Sequence, residues 1–541
     1  MRRLHARNRV NSKPNESPNS AMDPLKLTRS TNFFWISKNS KPTSSRFRII
    51  ALIAIALVLV SCYCLFVVGS SRHSKRYGII IDGGSTGTRI HVFGYRMEKG
   101  NAVFDADLGT MKVNPGLSAY AEDPNGAAAA LKEIVEFGKG KVPREQWAET
   151  EIRLMATAGM RLLTGSVQER ILESCRRVLR ASGFKFKDDW ATVITGSDEG
   201  LYAWVVANYA MGTLGGDPLQ TTGIIELGGA SMQVTFVSSE PIPSEFLRTV
   251  RFGNFNYNVY SHSFLHFGQN VAFESLRKSL VLKDFDSATE PLRAGISLDP
   301  CTPKGYSNNL ESWRPSPDSL AGRKESLPSL LQSSGNFTEC RSAALMLLQK
   351  DKEKCSYQRC QIGSTFIPEL RGKFLATENF FYTSEFLGLG SSSCISDILM
   401  AGQKFCREDW SKLKKKHNSL NEEDLAHYCF SSAYIVAMLH DSLGIALDDE
   451  RIGFANQVGS IPLDWALGAF ILQSTADLDV EQPDWIATIT SEDSPTLLSL
   501  IAILVILMFV AWSVSKWRKP QLKTVYDLEK GRYIVTRMNR C

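Results

Sequence analysis

Between residues 77 and 237 the apolar positions switch between two periods. Short apolar runs at 77–82, 89–95, 152–156, 191–195, 222–227 and 232–237 read as strands. Between them, 127–137, 167–181 and 199–211 carry apolar residues at helical spacing. Strands alternating with helices predict α/β layers, in which ligands bind beyond the strand ends. Two strand pairs, 77–82 with 89–95 and 222–227 with 232–237, each enclose a glycine-rich loop, so a strand–loop–strand unit occurs twice. Past residue 241 the pattern loosens, with a Ser/Pro-rich loop at 315–328. Helical spacing returns at 425–443 and 464–472.

Two longer uncharged runs, 49–69 and 496–514, flank this region, each long enough to cross a bilayer as a helix. A buried core helix or a signal peptide are the alternatives for the first. Its length and the basic segment before it favour an uncleaved anchor. The 541 residues thus divide into a Ser/Asn/Pro/Lys-rich tail at 1–48, a span at 49–69, a domain at 70–495, a span at 496–514 and a second tail at 515–541. The first tail lacks an apolar period and is expected to be disordered.

Charge sets the topology. Eleven Lys/Arg against Glu16 and Asp23 give the first tail +9, and eight against Asp527 and Glu529 give the second +6. Basic flanks stay cytosolic, which puts both termini in the cytosol and the middle in the lumen or outside the cell. The whole chain is only +6, so the segment between the tails carries −9. The basic excess is therefore topogenic, with weak attraction to anionic lipid, and is no argument for nucleic-acid binding. Eight of the eleven cysteines lie between the spans, an even set that fits up to four disulfides in an oxidising compartment. Chain proximity suggests Cys355–Cys360 and Cys406–Cys429, and no C-x-x-C spacing suggests zinc. Cys62, Cys64 and Cys541 are read as inert thiols in preference to lipidation sites. Asn336-Phe337-Thr338 is a glycosylation sequon on the lumenal side, whereas Asn15-Glu16-Ser17 is cytosolic.

The chemistry lies in the two loops. The first reads Asp82-Gly83-Gly84-Ser85-Thr86-Gly87-Thr88-Arg89 and the second Glu226-Leu227-Gly228-Gly229-Ala230-Ser231. In each an apolar strand delivers a carboxylate. The chain then turns through small residues whose N–H groups can approach an anion, with hydroxyls as further donors. One such loop is weak evidence. Two, each led by an acid, suggest opposed clamps on a polyphosphate with a divalent cation between them. Taken singly, Asp82 and Glu226 are also compatible with turn acids at strand ends.

These residues resemble the apyrases, nucleoside triphosphate diphosphohydrolases of the actin/Hsp70/sugar-kinase-like group, and most of all the plant-type membrane members. Further motifs follow in that family's order: Leu154-Met155-Ala156-Thr157-Ala158-Gly159-Met160-Arg161, Ile194-Thr195-Gly196-Ser197-Asp198-Glu199-Gly200, His262-Ser263-Phe264-Leu265 and Asp299-Pro300-Cys301. The resemblance spans roughly 77–474. It implies a two-lobed α/β, ribonuclease H-like fold with the nucleotide in the cleft between lobes. The first lobe would hold about 77–240 plus 440–475, and the second about 241–439. It further implies hydrolysis of terminal phosphates of nucleoside tri- and diphosphates with Ca²⁺ or Mg²⁺, bound at Asp82 and Glu226 through water. Glu199 matches the catalytic glutamate; alone, a first-turn Glu reads as a capping residue. Ser231 and Gln233, alternating on one strand face, match positions that hold the attacking water. Thr157, Ala158 and Gly159 match a phosphate-binding segment, and Arg161 reads equally well as a structural ion pair. The family's arrangement suggests Cys301–Cys340, leaving Cys175 and Cys394 as a remaining pair.

Two departures stand out. Gly83 and Thr86 replace the Ala and Ser common in the first loop. Glu226 stands where Asp is commonest, which leaves metal preference and the di- to triphosphate balance open. Phe380, Phe381, Tyr382, Phe386 and Trp465 are candidates to stack a base, although aromatics at this density more often form core. A Golgi-type nucleoside diphosphatase acting on UDP or GDP is the nearest alternative. A kinase of the same group is disfavoured by the scarcity of ATP outside the cytosol. A nucleotide-binding receptor would require a lost base or a cytosolic signalling domain, and neither is present. Oligomeric state is not legible from the sequence.

Overall fold

The computed structural model describes residues 75–98, 101–253, 255–282, 296–309 and 330–480, with scattered residues between 53 and 63 and between 505 and 537. The 1–48 tail, the 315–328 loop and most of both apolar spans lie outside the described residues. Among the described residues no helix is long and apolar enough to cross a membrane. The chain divides into two compact units, Met1–Leu65 and Phe66–Cys541, and both sheets described below belong to the second.

The first sheet contains β1 (Arg76–Gly83), β2 (Thr88–Glu98), β3 (Asn101–Val113), β4 (Glu151–Ala156) and β5 (Ala191–Val193), in the order β3-β2-β1-β4-β5. β1 pairs antiparallel with β2 and parallel with β4. The second contains β6 (Gly223–Leu227), β7 (Ser231–Val237), β8 (Leu247–Phe252), β9 (Phe255–Leu265), β10 (Phe374–Glu378) and β11 (Ile452–Phe454), in the order β11-β10-β6-β7-β9-β8. β6 pairs antiparallel with β7 and parallel with β10. With β8 set aside as an added edge strand, the second order repeats the first. The strand–loop–strand repetition in the sequence is the visible part of a duplicated sheet.

Helix α1 (Pro124–Lys141) and α2 (Gly165–Arg180) cover the outer face of the first sheet. Side chains alternate across β1: Ile79 and Ile81 pack with Leu131, Ile134 and Ile171 beneath these helices, while Ile80 points to the opposite core. Burial on both faces is why this strand reads as a continuous apolar run. Between the sheets lie α3 (Gly196–Ala210), on the second, and α9 (Trp465–Val480), against the first. The second sheet's other face is covered by α4 (Gln269–Leu282), α5 (Phe337–Leu348), α6 (Asn379–Phe386), α7 (Ile395–Arg407) and α8 (Glu422–Val436).

Several expectations need correction. β6 and β7 belong to the second sheet, so the divide between the sheets falls at α3 rather than near residue 240. Residues 440–475 are shared: β11 joins the second sheet, and α9 returns to the first. β3 was not foreseen, nor was a hairpin of Leu522–Asp527 with Arg532–Arg537 in the C-terminal tail. Disulfides Cys301–Cys340, Cys355–Cys360 and Cys406–Cys429 are present, but Cys175 and Cys394 are free. Cys175 is on α2, against the first sheet, whereas Cys394 precedes α7, against the second. Both sheets separate them.

Candidate active site

The open ends of β1, β4, β6 and β10 and the first turn of α3 meet at one cleft of about 230 Å³. Asp82, Gly84, Ser85, Thr86 and Arg89 line it from the first loop, Glu226 and 228–231 from the second. Thr157 and Ala158 follow β4, and Glu199 comes from α3. The loops stand face to face: a Cβ on Gly229 would lie 2.8 Å from Ser85 Oγ and 3.1 Å from Thr86 Cγ2. A side chain there would fill the gap between them. A Cβ on Gly159 would lie 2.8 Å from Ser85 Cα, so this glycine seats the first loop from behind. In the second loop, Gln269 and Asn270 at the start of α4 donate their N–H groups to the carbonyls of Gly228 and Gly229, both at 2.9 Å. Carbonyls that would repel an anion are thereby tied to a helix end.

Asp82 and Glu226 are both buried, at 4% and 7% exposure. Asp82 Oδ2 lies 3.8 Å from Arg89 Nη1. Asp82 Oδ1 and Glu226 Oε2 have no hydrogen-bond partner among the described residues. Burial pushes both carboxyls well above the ordinary range. Asp464 adds to this for Asp82, and Glu199 and Glu378 for Glu226. Two buried acids with free oxygens in a cleft walled by N–H and hydroxyl donors suit a hard cation. Among the described residues no three His, Cys, Asp or Glu side chains gather closely enough to hold a metal unaided. Its remaining ligands would have to be water or substrate.

Of the carboxylates lining the cleft, Glu199 accepts the most hydrogen bonds from described residues. Thr195 caps its helix by accepting from Asp198 N at 3.1 Å, which fixes the first turn. Glu199 Oε2 accepts from Arg161 Nη2 at 2.8 Å and from Gln233 Nε2 at 3.2 Å. Burial raises its pKa and the Arg161 guanidinium opposes that rise. Ser231 Oγ accepts from Gln233 Nε2 at 2.7 Å and from Arg161 Nη2 at 3.2 Å. With both lone pairs engaged, its proton is free to point into the cleft. Arg161, which also donates to Ile194 O at 3.2 Å, is thus an ion pair inside the site.

Other candidates sit one layer back. Thr88 and Gln233 are buried, Gln233 reaching the cleft only through Glu199 and Ser231. Gly83 and Gly87 are likewise behind the lining. Of the aromatics, Phe380 is core and Phe386 stacks on Tyr428. Tyr382 (43% exposed) and the buried Trp465 do line the cleft. Lys112, Asn270, Glu378 and Asn379 also line it, and the sequence reading missed them all. Position gave no signal for Glu378: its strand pairs with β6 across some 150 residues of chain.

Residues 68–483 match the GDA1/CD39 (nucleoside phosphatase) family. Probable apyrase 6 of Arabidopsis thaliana is 57% identical, over 99% of this chain and 100% of its own length. Ectonucleoside triphosphate diphosphohydrolase 1 of Bos taurus is 30% identical, over 75% of this chain and 82% of its own. Among solved structures, nucleoside triphosphate hydrolases from Neospora caninum superimpose with a TM-score of 0.58 at 17% identity, over 80% of this chain and 99% of theirs, a likeness of fold. Sequence match and duplicated fold agree: the chain belongs to the GDA1/CD39 (nucleoside phosphatase) family and is a nucleoside phosphohydrolase.

Proposed function

We propose that the chain is a divalent-metal-dependent apyrase that removes terminal phosphates from nucleoside tri- and diphosphates by in-line attack of water. The reading is carried by two opposed phosphate loops flanking Glu199, whose Oε2 is fixed by Arg161 and Gln233. The loops, with Thr157 and Ala158, hold the phosphates, and Gly159 seats the first loop against them. Glu199 takes the proton of the attacking water with the carboxylate oxygen that faces the cleft. The Ser231 hydroxyl orients that water, and Gln233 acts from behind by holding Ser231 and Glu199 in place. As its oxygen bonds to the terminal phosphorus, the anhydride P–O bond breaks and the shortened nucleotide leaves. Mg²⁺ or Ca²⁺, when bound, supplies neutralisation of phosphate charge. Asp82 and Glu226 would hold it through water, which the unpartnered oxygens support. Tyr382, with its exposed ring on the cleft wall, is the favoured base-stacking residue.

The enzyme works outside the cytosol, anchored by 49–69 and 496–514. The three disulfides favour the secretory pathway, at the plasma membrane or in the Golgi. The test is phosphate release from ATP, ADP, UDP and GDP by the full-length protein, with and without EDTA. Glu199→Gln should keep nucleotide binding and lower turnover by roughly 10²-fold or more. Undiminished turnover in this folded variant, or full activity in metal-free buffer, would refute the reading.

A further inference from the structure

We propose that Glu378 accepts hydrogen bonds from the ribose hydroxyls of the nucleotide, and so separates nucleotides from bare polyphosphate and ribose from deoxyribose. This deepens the apyrase reading and rests on it.

The duplicated sheet provides an internal control. In the first sheet Asp82 pairs with Met155 and Gly83 with Ala156; in the second Glu226 pairs with Thr377 and Leu227 with Glu378. Glu378 is therefore the counterpart of Ala156. The fold requires only a methyl group at that position, and here a carboxylate opens onto the cleft. Its backbone is also unusual, with φ 58° and ψ −120° at the N-cap of α6. A residue with a Cβ adopts that conformation only where its surroundings enforce it, and such strain concentrates at functional sites. The enforcing contacts are visible. Glu378 N–H donates to Asn456 Oδ1 at 2.7 Å, and Asn379 Nδ2 donates to Leu227 O at 2.8 Å.

The side chain makes no ion pair or hydrogen bond with a described residue, although Arg89 and Lys112 line the same cleft. Next to phosphates, one more carboxylate is repelled by the substrate. It is favourable only towards a cation or a hydrogen-bond donor. Arg89 and Lys112 already supply positive charge nearby, and a carboxylate accepting from ribose hydroxyls is a recurring solution in nucleotide sites. Tyr382 stands four residues along, on the same face of α6, with its ring on the cleft wall. Sugar acceptor and base platform are thus adjacent, on the side of Glu226 away from β7.

The experiment compares kcat/KM for ATP, 2′-deoxy-ATP, 3′-deoxy-ATP and inorganic tripolyphosphate in the full-length wild type, Glu378→Gln and Glu378→Gly, with folding checked by thermal melts. Glycine suits the φ of this position, so that variant guards against loss of fold. Loss of a hydrogen bond to a charged group predicts that the wild type prefers ATP over at least one deoxy analogue by roughly tenfold or more. Both variants should compress that preference to about twofold and lower the ATP-to-tripolyphosphate ratio about tenfold. Ratios unchanged in both folded variants would overturn the proposal. So would a wild type that treats ATP and both deoxy analogues alike. Losses falling equally on tripolyphosphate would also overturn it, moving Glu378 to the phosphate or cation. A wild type inert towards all nucleotides would refute the apyrase reading itself.

Discussion

Arg161→Met isolates the electrostatic part of the site. The guanidinium lies 2.8 Å from Glu199, and both side chains are largely buried, at 15% and 9% exposure. Burial raises the Glu199 pKa and Arg161 holds it down. Removing the cation leaves burial unopposed, so the pKa rises further. The active carboxylate then forms only at higher pH. An opposite charge at this range is worth about 1–3 pKa units, each about 1.4 kcal/mol. The acid limb of kcat/KM should therefore move up by about 1–3 units. Well below the limb, each unit lowers activity about tenfold, with recovery as pH rises through the new limb. Arg161→Lys keeps the charge but cannot bridge Glu199, Ser231 and Ile194 together. It should lower kcat while leaving the limb near its original position. The assay is the pH profile of phosphate release, with thermal melts at each pH. An unmoved limb in Arg161→Met would show that Arg161 does not tune the base. A loss that alkali cannot rescue would assign it a structural role.

His262, edge-on to Phe246 and Phe264, has its pKa lowered by burial to about 4. Its neutral form is the one that folds, so stability is present above the unfolded value near 6.5 and is lost as pH falls towards 4. Urea midpoints should show a loss of about 2 kcal/mol between pH 7 and 5, which His262→Asn should flatten; equal slopes in the two proteins would refute it. Without reductant, maleimide under native conditions should label Cys394 in preference to Cys175, whose thiol burial pushes up to about 12. Equal labelling would contradict the burial of α2. Asn336 caps α5 by accepting from Glu339 N at 3.4 Å through Oδ1, which leaves Nδ2 for a glycan. Asn336→Gln should raise gel mobility, and protease outside sealed vesicles should trim only the tails. Unchanged mobility with digestion of 70–495 would reverse the topology.

How much of this was legible follows from how local each signal is. The two loops, the strand before each and the Glu199 turn are encoded within a dozen residues, and their members do meet in one cleft. Cys355–Cys360 and Cys406–Cys429 close short stretches and were equally readable. Elimination failed for Cys175 and Cys394, because an even count does not place two thiols on one side of a sheet. The sheet to which the second loop belongs is not legible locally, because β6 takes its neighbour from β10, far along the chain. The sorting of Tyr382 from Phe380 and Phe386 likewise depends on which way α6 faces the cleft, and its composition does not say.

The placement of α9 bears on how the chain is made. Its residues from Ala466 to Ile471 complete the core around Ile80 and Phe93 on the inner face of the first sheet. That sheet is finished at Val193, yet its cover begins at Trp465. At about 5–20 residues per second, the ribosome takes roughly 15–50 seconds to supply it. For that interval the nascent first lobe presents an unsealed apolar face. A chain paused or truncated before residue 465 should therefore be held by chaperones and prone to aggregate, and the second lobe must grow while the first is still open.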